Sequence, residues 1–264
     1  MIATAVFILI AAGAYAETRM FVVNVGKGDA IIVKTEDAAY LIDTGKSGSF
    51  EALTQALEYM NVDSLDGVFM THTDKDHSGG LKKLFKSGIE VKNWYAPAFF
   101  TGEQADNPIV KATKKGDITV NWLRAGDCVD GLFSVLAPIE KNEINEDDNS
   151  LVMMLKTADG KVLLTGDMEY GEEYTLLKSG AELECDILKV PNHADDDTCS
   201  QAFIEKLGAR VALISTDPYD KPGTPDADLL ALLEKAGMQA YRTDFSETGI
   251  LVTIREGEIE VEIK

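Results

Sequence analysis

The sequence predicts a layered α/β (α+β) fold in which two β-sheets are covered by helices. Short apolar segments rich in Val, Ile, Leu and Phe recur along the chain, bounded by Gly, Asp or Pro, which is typical of strands. They cluster first and then alternate with segments of helical periodicity, a pattern that indicates sheets with helical layers. No low-complexity linker or charge block divides residues 17–264, so we expect one domain there.

The individual elements follow from the same patterns. Strands are predicted at residues 19–25, 30–34, 39–42, 67–70, 118–123, 132–136, 151–156, 161–165, 185–190, 210–215, 238–242, 249–254 and 258–263. Helices are predicted at residues 50–60, 80–87, 108–115, 170–179, 199–207 and 225–236. Ser49 is the candidate cap of the first helix, and Gly88 and Gly237 are candidate ends of the second and the last.

The formal net charge of the 264-residue chain is −20. A field of this sign repels polyanions at long range, whereas tight binding of nucleic acid requires a positive surface. The charge therefore argues against a dedicated nucleic-acid binder and predicts no stable nucleic-acid complex. It gives no support to adhesion on anionic membranes.

Residues 1–16 are apolar or small throughout and end in Ala14-Tyr15-Ala16. This pattern predicts a signal peptide cleaved after Ala16, and hence a secreted or extracytoplasmic mature protein that is not attached to a membrane. The segment is shorter than the roughly 20 residues of a spanning helix. It contains no Lys or Arg, and a buried N-terminal strand or helix is the alternative.

The three cysteines, Cys128, Cys185 and Cys199, form no Cys-x-x-Cys pair, which argues against a thiolate zinc site. In an exported protein, one disulfide with one free thiol is a possible arrangement. A buried free thiol at Cys185 is the alternative, and the sequence leaves both open.

Acidic or imidazole side chains follow four of the apolar strands directly. The four segments are Leu41-Ile42-Asp43, Met70-Thr71-His72, Leu164-Thr165-Gly166-Asp167 and Val190-Pro191-Asn192-His193. All three histidines of the chain, His72, His77 and His193, stand at such positions. Because ligands gather at strand ends in layered α/β folds, these positions indicate a site.

The segment His72-x-Asp74-x-Asp76-His77 carries four groups that can each offer a lone pair to a cation. Imidazole and carboxylate suit Zn²⁺, and carboxylate-rich sets also suit Mn²⁺. In an extended loop, His72, Asp74 and Asp76 would point to one side and His77 to a second ion. The alternative is an acidic loop with helix-capping aspartates. Taken alone, Asp167 is more typical of a turn and His193 of a structural histidine.

The order of these segments resembles that of the metallo-β-lactamase superfamily, in particular the branch of the C-terminal domain of the ComEC/Rec2 DNA-uptake proteins. The matching segments are Val25-Gly26-Lys27-Gly28-Asp29-Ala30, Leu41–Gly45, His72–Gly80, Asn149–Val152, Leu163–Asp167, Leu188–His193 and Tyr241–Asp244. Spaced along the chain, they span nearly the whole of residues 17–264.

The resemblance implies a four-layer αββα sandwich that binds one or two divalent ions, Zn²⁺ in preference to Mn²⁺. It implies that His72 and Asp74 bind the first ion, that Asp76, His77 and His193 bind the second, and that Asp167 bridges them. Asp43 would orient the ligand loop, His72–His77, without itself binding an ion, a role that metal sites usually require. Asp147 or Asn149 occupies the place of a further ligand to the first ion.

Three positions depart from the family pattern. Asp74 replaces the histidine of many members, as is usual in the ComEC-like branch, and argues against a true β-lactamase. Asn192-His193-Ala194-Asp195 stands where the branch often has His-His-Gly-Ser, so one imidazole is missing. Thr224 stands where the branch often has a histidine before Pro225.

These features predict a metallo-hydrolase that cleaves a phosphodiester with a metal-bound hydroxide, and Asp76 as the catalytic residue that passes a proton. The expected substrate is a small phosphoester or single-stranded nucleic acid, and the net charge favours the small one. Lys82, Lys83 and Lys86 are candidates for local positive charge, although such lysines are more often a solvated helix face. The alternatives are a degenerate, non-catalytic metal-binding module, which Asn192 and Thr224 motivate, and a lactonase or thioesterase on the same fold.

Overall fold

The structure, a computed structural model, describes residues 17–100, 108–115, 117–145 and 147–264. The predicted signal peptide lies outside this range and stays a prediction.

The strands are β1 (Thr18–Val23), β2 (Ile31–Lys34), β3 (Ala39–Ile42), β4 (Ser64–Phe69), β5 (Glu90–Pro97), β6 (Val120–Leu123), β7 (Cys128–Val129), β8 (Phe133–Ala137), β9 (Val152–Lys156), β10 (Lys161–Leu164), β11 (Ile187–Lys189), β12 (Val211–Ile214), β13 (Gln239–Arg242), β14 (Gly249–Arg255) and β15 (Glu258–Ile263). The helices are α1 (Phe50–Tyr59), α2 (Lys75–Ser78), α3 (Leu81–Ser87), α4 (Pro108–Lys115), α5 (Tyr170–Ser179), α6 (Gln201–Leu207) and α7 (Ala227–Lys235).

The strands form two sheets. The first has the order β15-β14-β1-β2-β3-β4-β5-β6, and the second has the order β13-β12-β11-β10-β9-β8-β7. Strands β3 to β6 run parallel to one another, as do β10 to β13. The carboxyl ends of parallel neighbours meet at one edge, so each sheet contributes an edge at which loops can assemble a site.

Three apolar layers hold the sheets and helices together. Side chains of both sheets fill the layer between them. Helices α1, α3 and α4 pack on the outer face of the first sheet, and α5, α6 and α7 pack on the outer face of the second. In β1 the alternation is direct, because Met20 and Val22 face the layer between the sheets while Phe21 and Val23 face the helices. The predicted four-layer αββα sandwich is confirmed.

Two strands were not predicted from the sequence. Strand β5 begins with Glu90-Val91-Lys92-Asn93, none of which is buried, so the apolar signal is confined to its second half. Strand β7 has only two residues, too few for a pattern.

Ser49 occupies the predicted N-cap position of α1, but its side chain makes no capping hydrogen bond. A 3₁₀ turn, Ser47–Ser49, precedes α1, and the Ser49 hydroxyl donates to the Lys46 carbonyl at 3.0 Å instead of accepting from the helix. Gly88 ends α3 with φ of +82°, as predicted.

Cys128, Cys185 and Cys199 are all free thiols, and Cys185 is buried. The disulfide alternative is therefore not realised in the structure. Over the described ranges of the chain, none of the helices combines the length and the apolar character that a bilayer crossing requires.

Candidate metal centre

Four strands end at the same place and carry the predicted ligands to it. Asp43 directly follows β3, and His72 lies just beyond the adjacent parallel strand β4. In the second sheet, Asp167 follows β10 and His193 follows its parallel neighbour β11. The site therefore lies at the strand ends of both sheets, and its side chains come from distant parts of the sequence.

Possible ligand atoms of the described residues form three groups, one of which joins Asp29 and Asp43 to His77 and the other two of which contain the predicted ligands. The first ligand group contains His72, Asp74 and Asp147, and the second contains Asp76, His77, Asp167 and His193. The histidines and Asp167 are buried, Asp76 and Asp147 are half-buried, and Asp74 is exposed. The Asp167 carboxylate lies between the two groups, with one oxygen 3.1 Å from His193 Nε2 and 3.9 Å from His72 Nε2.

The outward nitrogen of each imidazole has a protein acceptor, and this assigns the three tautomers. His77 Nδ1–H donates to Asp43 Oδ2 at 2.7 Å, and His193 Nδ1–H donates to the Ser215 carbonyl at 2.8 Å. The Thr71 hydroxyl donates to Asp43 at 2.5 Å and therefore accepts from His72 Nδ1, 3.1 Å away. All three Nε2 atoms consequently direct lone pairs into the site.

Two of these lone pairs face each other. His77 Nε2 and His193 Nε2 lie 3.3 Å apart, and each lies 3.1 Å from an oxygen of Asp167. Donor atoms that share a tetrahedral Zn²⁺ at about 2.0–2.1 Å lie about 3.3 Å from one another. The spacing of the second ligand group therefore fits a shared cation.

The first ligand group gives an independent indication of fit. His72 Nε2 is buried and has no hydrogen-bond partner among the described residues, and its nearest carboxylates, Asp147 and Asp167, lie 3.8 and 3.9 Å away. A buried nitrogen without a partner is costly, whereas a cation between it and these oxygens would satisfy it. The donor set of imidazoles and carboxylates suits Zn²⁺ or Mn²⁺.

In the protein without ions, the pKa shifts of the site residues also show that the site favours positive charge. Burial lowers the pKa of His77, but Asp167 and Asp43 outweigh burial and raise this pKa well above its usual value. Burial raises the pKa of Asp167, but His193 and His77 hold it well below its usual value. Burial and the carboxylates of Asp167 and Asp74 raise the pKa of Asp147 to about 7. Protons thus compete with cations for this site.

The backbone is strained where it presents the ligands. Asn192, His193 and Ala194 have φ values of +41°, +56° and +66°, and Asp43 has a φ of +58°. Left-handed conformations at non-glycine residues cost about 1–3 kcal/mol each and persist only where the surroundings impose them. Four of the eight described non-glycine residues with positive φ lie at these two strand ends, and strained backbone is often found at functional positions.

A buried ion pair supports His193, and sequence reasoning assigned its members no role. Lys189 Nζ lies 2.9 Å from Asp29 Oδ2, and both side chains are buried. Asp29 accepts a hydrogen bond from the Ser215 hydroxyl, and Ser215 in turn accepts from His193. Lysine is rarely buried without a partner, so Lys189 within the apolar strand β11 was the available signal.

The structure brings together most of the predicted site residues, but two expectations need correction. Asp76 groups with His77, not with His72 and Asp74 as alternation along an extended loop would have it, because residues 75–78 form α2. Asn149 lies outside both ligand groups, since its amide binds the backbone of Asn142 and Asn145. Asp147 takes the position that the sequence left open between the two residues.

Two of the positions that depart from the family pattern, Asn192 and Thr224, use their side-chain polar groups in other hydrogen bonds. The Asn192 amide donates to Glu169 and Asp197 at 3.3 and 3.2 Å. The buried Thr224 hydroxyl donates to the Lys221 carbonyl at 2.8 Å. Lys82, Lys83 and Lys86 are exposed on α3, and the Lys83 ammonium donates to the Ser47 carbonyl.

Comparison with known proteins identifies this arrangement. Residues 23–217 match the metallo-β-lactamase superfamily. ComE operon protein 3 of Bacillus subtilis is 26% identical over 253 residues, which cover 88% of this chain but 32% of that protein. The chain thus spans about a third of the length of this relative.

Solved structures agree on the fold. The metallo-β-lactamase fold protein YhfI of B. subtilis superimposes with a TM-score of 0.61 at 15% identity, covering 90% of this chain and 99% of YhfI. A diphosphatase from the PhnP family gives a TM-score of 0.54 at 15% identity, covering 90% and 97%. The similarity to ComE operon protein 3 agrees with the predicted resemblance to the ComEC/Rec2 branch. The chain belongs to the metallo-β-lactamase superfamily.

Proposed function

We propose that the chain is a metal-dependent hydrolase that cleaves phosphodiesters at the junction of the two ligand groups. The observation that carries this proposal is the pair of Nε2 lone pairs, on His77 and His193, that face each other 3.3 Å apart beside Asp167. That arrangement is unfavourable without a cation or a shared proton. It is the donor geometry that a hydrolytic metal site needs.

Each ligand group would hold one ion, with Asp167 shared between them. Divalent cations bound there supply a nucleophile by lowering the pKa of water, and they neutralise charge on substrate oxygens. The chain's own residues keep the donors in place, since Asp43, Thr71 and Ser215 fix the ring orientations. Asp76, half-buried and 3.7 Å from His193, borders solvent and is positioned to pass a proton.

A phosphodiester is favoured over other hydrolysable bonds by two considerations. The sequence resembles the ComEC/Rec2 DNA-uptake proteins, and one fold neighbour is a diphosphatase. The net charge of −20 disfavours long polyanions, so we propose a small phosphodiester or a short single strand as substrate.

The test is a substrate panel with the protein loaded with Zn²⁺ or Mn²⁺. We expect turnover of a bis-aryl phosphodiester, loss of turnover on chelation and recovery on adding the ion back. Asp167→Asn should lower kcat at least about a hundredfold and reduce bound metal. Asp37→Asn, which makes the same chemical change at an exposed site, should do neither.

Three outcomes would contradict the proposal. Stoichiometric metal without turnover of a phosphodiester, an aryl ester or a lactone would indicate the non-catalytic module. Turnover of the lactone or ester alone would indicate the other hydrolase class. Turnover that survives Asp76→Ala combined with His77→Ala would show that the activity arises elsewhere.

A further inference from the structure

Lys27 lies beside the second ligand group. Its ammonium is 3.0 Å from Asp76 Oδ2, and the two side chains are 19% and 17% exposed. This partial exposure places the ammonium at the border between the ligand groups and solvent. A substrate that reaches Asp76 therefore passes within reach of Lys27.

The backbone holds Lys27 in this position from both sides. Gly28 has a φ of +149°, and a Cβ at that residue would lie 2.5 Å from the Asp76 carbonyl oxygen. The neighbouring Asp29 N–H donates to the same carbonyl at 3.2 Å. On the other side, the Lys27 N–H donates to Asp220 at 3.3 Å. The ammonium is thus placed by loop contacts and not by its flexible side chain alone.

Other lysines near the site have partners away from the ligand groups. Lys46 pairs with Asp220, Lys221 pairs with Asp195, and Lys189 pairs with the buried Asp29. Among the described residues, Lys27 is the lysine with an ion pair to a carboxylate of the two ligand groups. A divalent ion held by Asp76 would take over the neutralisation of that carboxylate, which leaves the positive charge of Lys27 to an incoming anion.

We propose that Lys27 binds the anionic phosphoryl oxygens of the substrate and so selects phosphodiesters over neutral esters. The inference rests on the phosphodiester hydrolysis proposed above and names the residue that recognises its substrate. A lysine ammonium is a compact point charge with three hydrogen-bond donors. It can therefore bind phosphoryl oxygens in more than one orientation. It also supplies positive charge locally in a chain whose overall charge is −20.

The experiment compares Lys27→Met, Lys27→Arg and Lys235→Met, the last of which removes an equal charge from an exposed position of α7. The first measurement is the dissociation constant of inorganic phosphate for the zinc-loaded proteins, by calorimetry. The second is KM and kcat for the bis-aryl phosphodiester, with bound zinc quantified in every sample.

We expect Lys27→Met to weaken phosphate binding about tenfold or more and to raise KM by a similar factor, since it removes a charge-assisted hydrogen bond. Lys27→Arg should retain most of the binding, because it keeps the charge. Lys235→Met should match the unaltered protein, and zinc content should be the same in all four.

Wild-type phosphate affinity in Lys27→Met would overturn the inference. So would a loss of zinc in parallel with phosphate, because Lys27 would then position Asp76 and not bind the anion. If the unaltered protein binds phosphate through Lys27 but turns over no phosphodiester, the proposed function fails while the anion site stands. The two failures are therefore distinguishable.

Discussion

Asp43 shows how one residue behind the ligands governs what the site can bind. Its Oδ2 accepts from His77 Nδ1 and from the Thr71 hydroxyl, while its Oδ1 accepts from the Thr71 N–H. These bonds place the His77 proton on Nδ1 and leave Nε2 available as a ligand. The carboxylate thus sets the tautomer as well as the orientation of the ring.

Asp43→Asn should reverse that tautomer. The φ of +58° is compatible with asparagine, so the fold should persist. The new amide would donate to Nδ1 and leave the proton on Nε2, the atom that faces Asp167. We expect zinc affinity to fall about 10–100-fold, measured by chelator competition. Asp37→Asn is the control, and unchanged affinity in Asp43→Asn would show that Asp43 does not set the tautomer.

At the residue scale, the sequence predicts the ligands better than their supports. His72, Asp167 and His193 stand out because each closely follows an apolar strand, and His77 because it shares the segment of His72. The grouping of Asp76 required the conformation of residues 75–78, which a spacing argument does not contain. Asp29 and Lys189 meet only after both sheets have packed, so no local pattern could pair them.

The loop between β1 and β2 is the element that joins the sheet to the ligand loop. Gly28 lies against the Asp76 carbonyl, and its φ of +149° is a conformation that L side chains rarely adopt. Gly126 also has a positive φ, +96°, but its Cβ position is open. A comparison of substitutions at the two glycines therefore distinguishes the cost of backbone strain from the cost of close packing.

Gly28→Ala should therefore destabilise the protein by more than Gly126→Ala. We expect a loss of about 1–2 kcal/mol for the strain at Gly126 and at least about 1 kcal/mol more at Gly28, where the added methyl also displaces the ligand loop. The free energy of unfolding in urea would check this. Equal losses would show that the contact with Asp76 contributes nothing.

At the element scale, prediction succeeds where one face is apolar and fails where the pattern is mixed. Helix α1, predicted at residues 50–60, is observed at Phe50–Tyr59, and its buried face consists of Phe50, Leu53, Ala56 and Leu57. Strand β5 was missed because half of it is polar, yet it pairs in parallel with both β4 and β6 inside the first sheet. Its strand conformation comes from these neighbours, which is tertiary information.

At the scale of the whole molecule, carboxyl groups of raised pKa surround α5 and the segment before β9. These groups are Asp147 and Glu169, each with a pKa of about 7, and Glu172 and Glu173. Burial is the largest cause for each, and neighbouring carboxylates add to it for the first three. Glu172 is the extreme case, since both of its oxygens are buried without a hydrogen-bond partner among the described residues.

These pKa values predict how stability depends on pH once ions are removed. An unfolded carboxyl group has a pKa near about 4, so the folded chain binds more protons between about pH 4 and 7 and its stability falls as the pH rises through that window. His77, whose pKa is raised, adds to this fall above about pH 6.5, whereas His72, whose pKa is lowered, opposes it below about pH 6.5. In chelator, the Tm should be lower at about pH 7.5 than at about pH 5.5.

Glu172→Gln should reduce that difference, because glutamine stays neutral in both states. Glu184→Gln, at an exposed position, should leave it unchanged. A Tm that rises over the same interval would mean that the buried acids are not protonated in the folded chain. Circular dichroism at several pH values suffices for the measurement.

The ligands belong to both sheets, with Asp43 and His72 at the ends of β3 and β4 and Asp167 and His193 at the ends of β10 and β11. An ion bound by ligands from both sheets would act as a reversible cross-link between them. By linkage, a fluctuation that separates the sheets would weaken the binding of the ion, and a bound ion would make that fluctuation rarer. Release of the ion and separation of the two sheets would therefore be coupled.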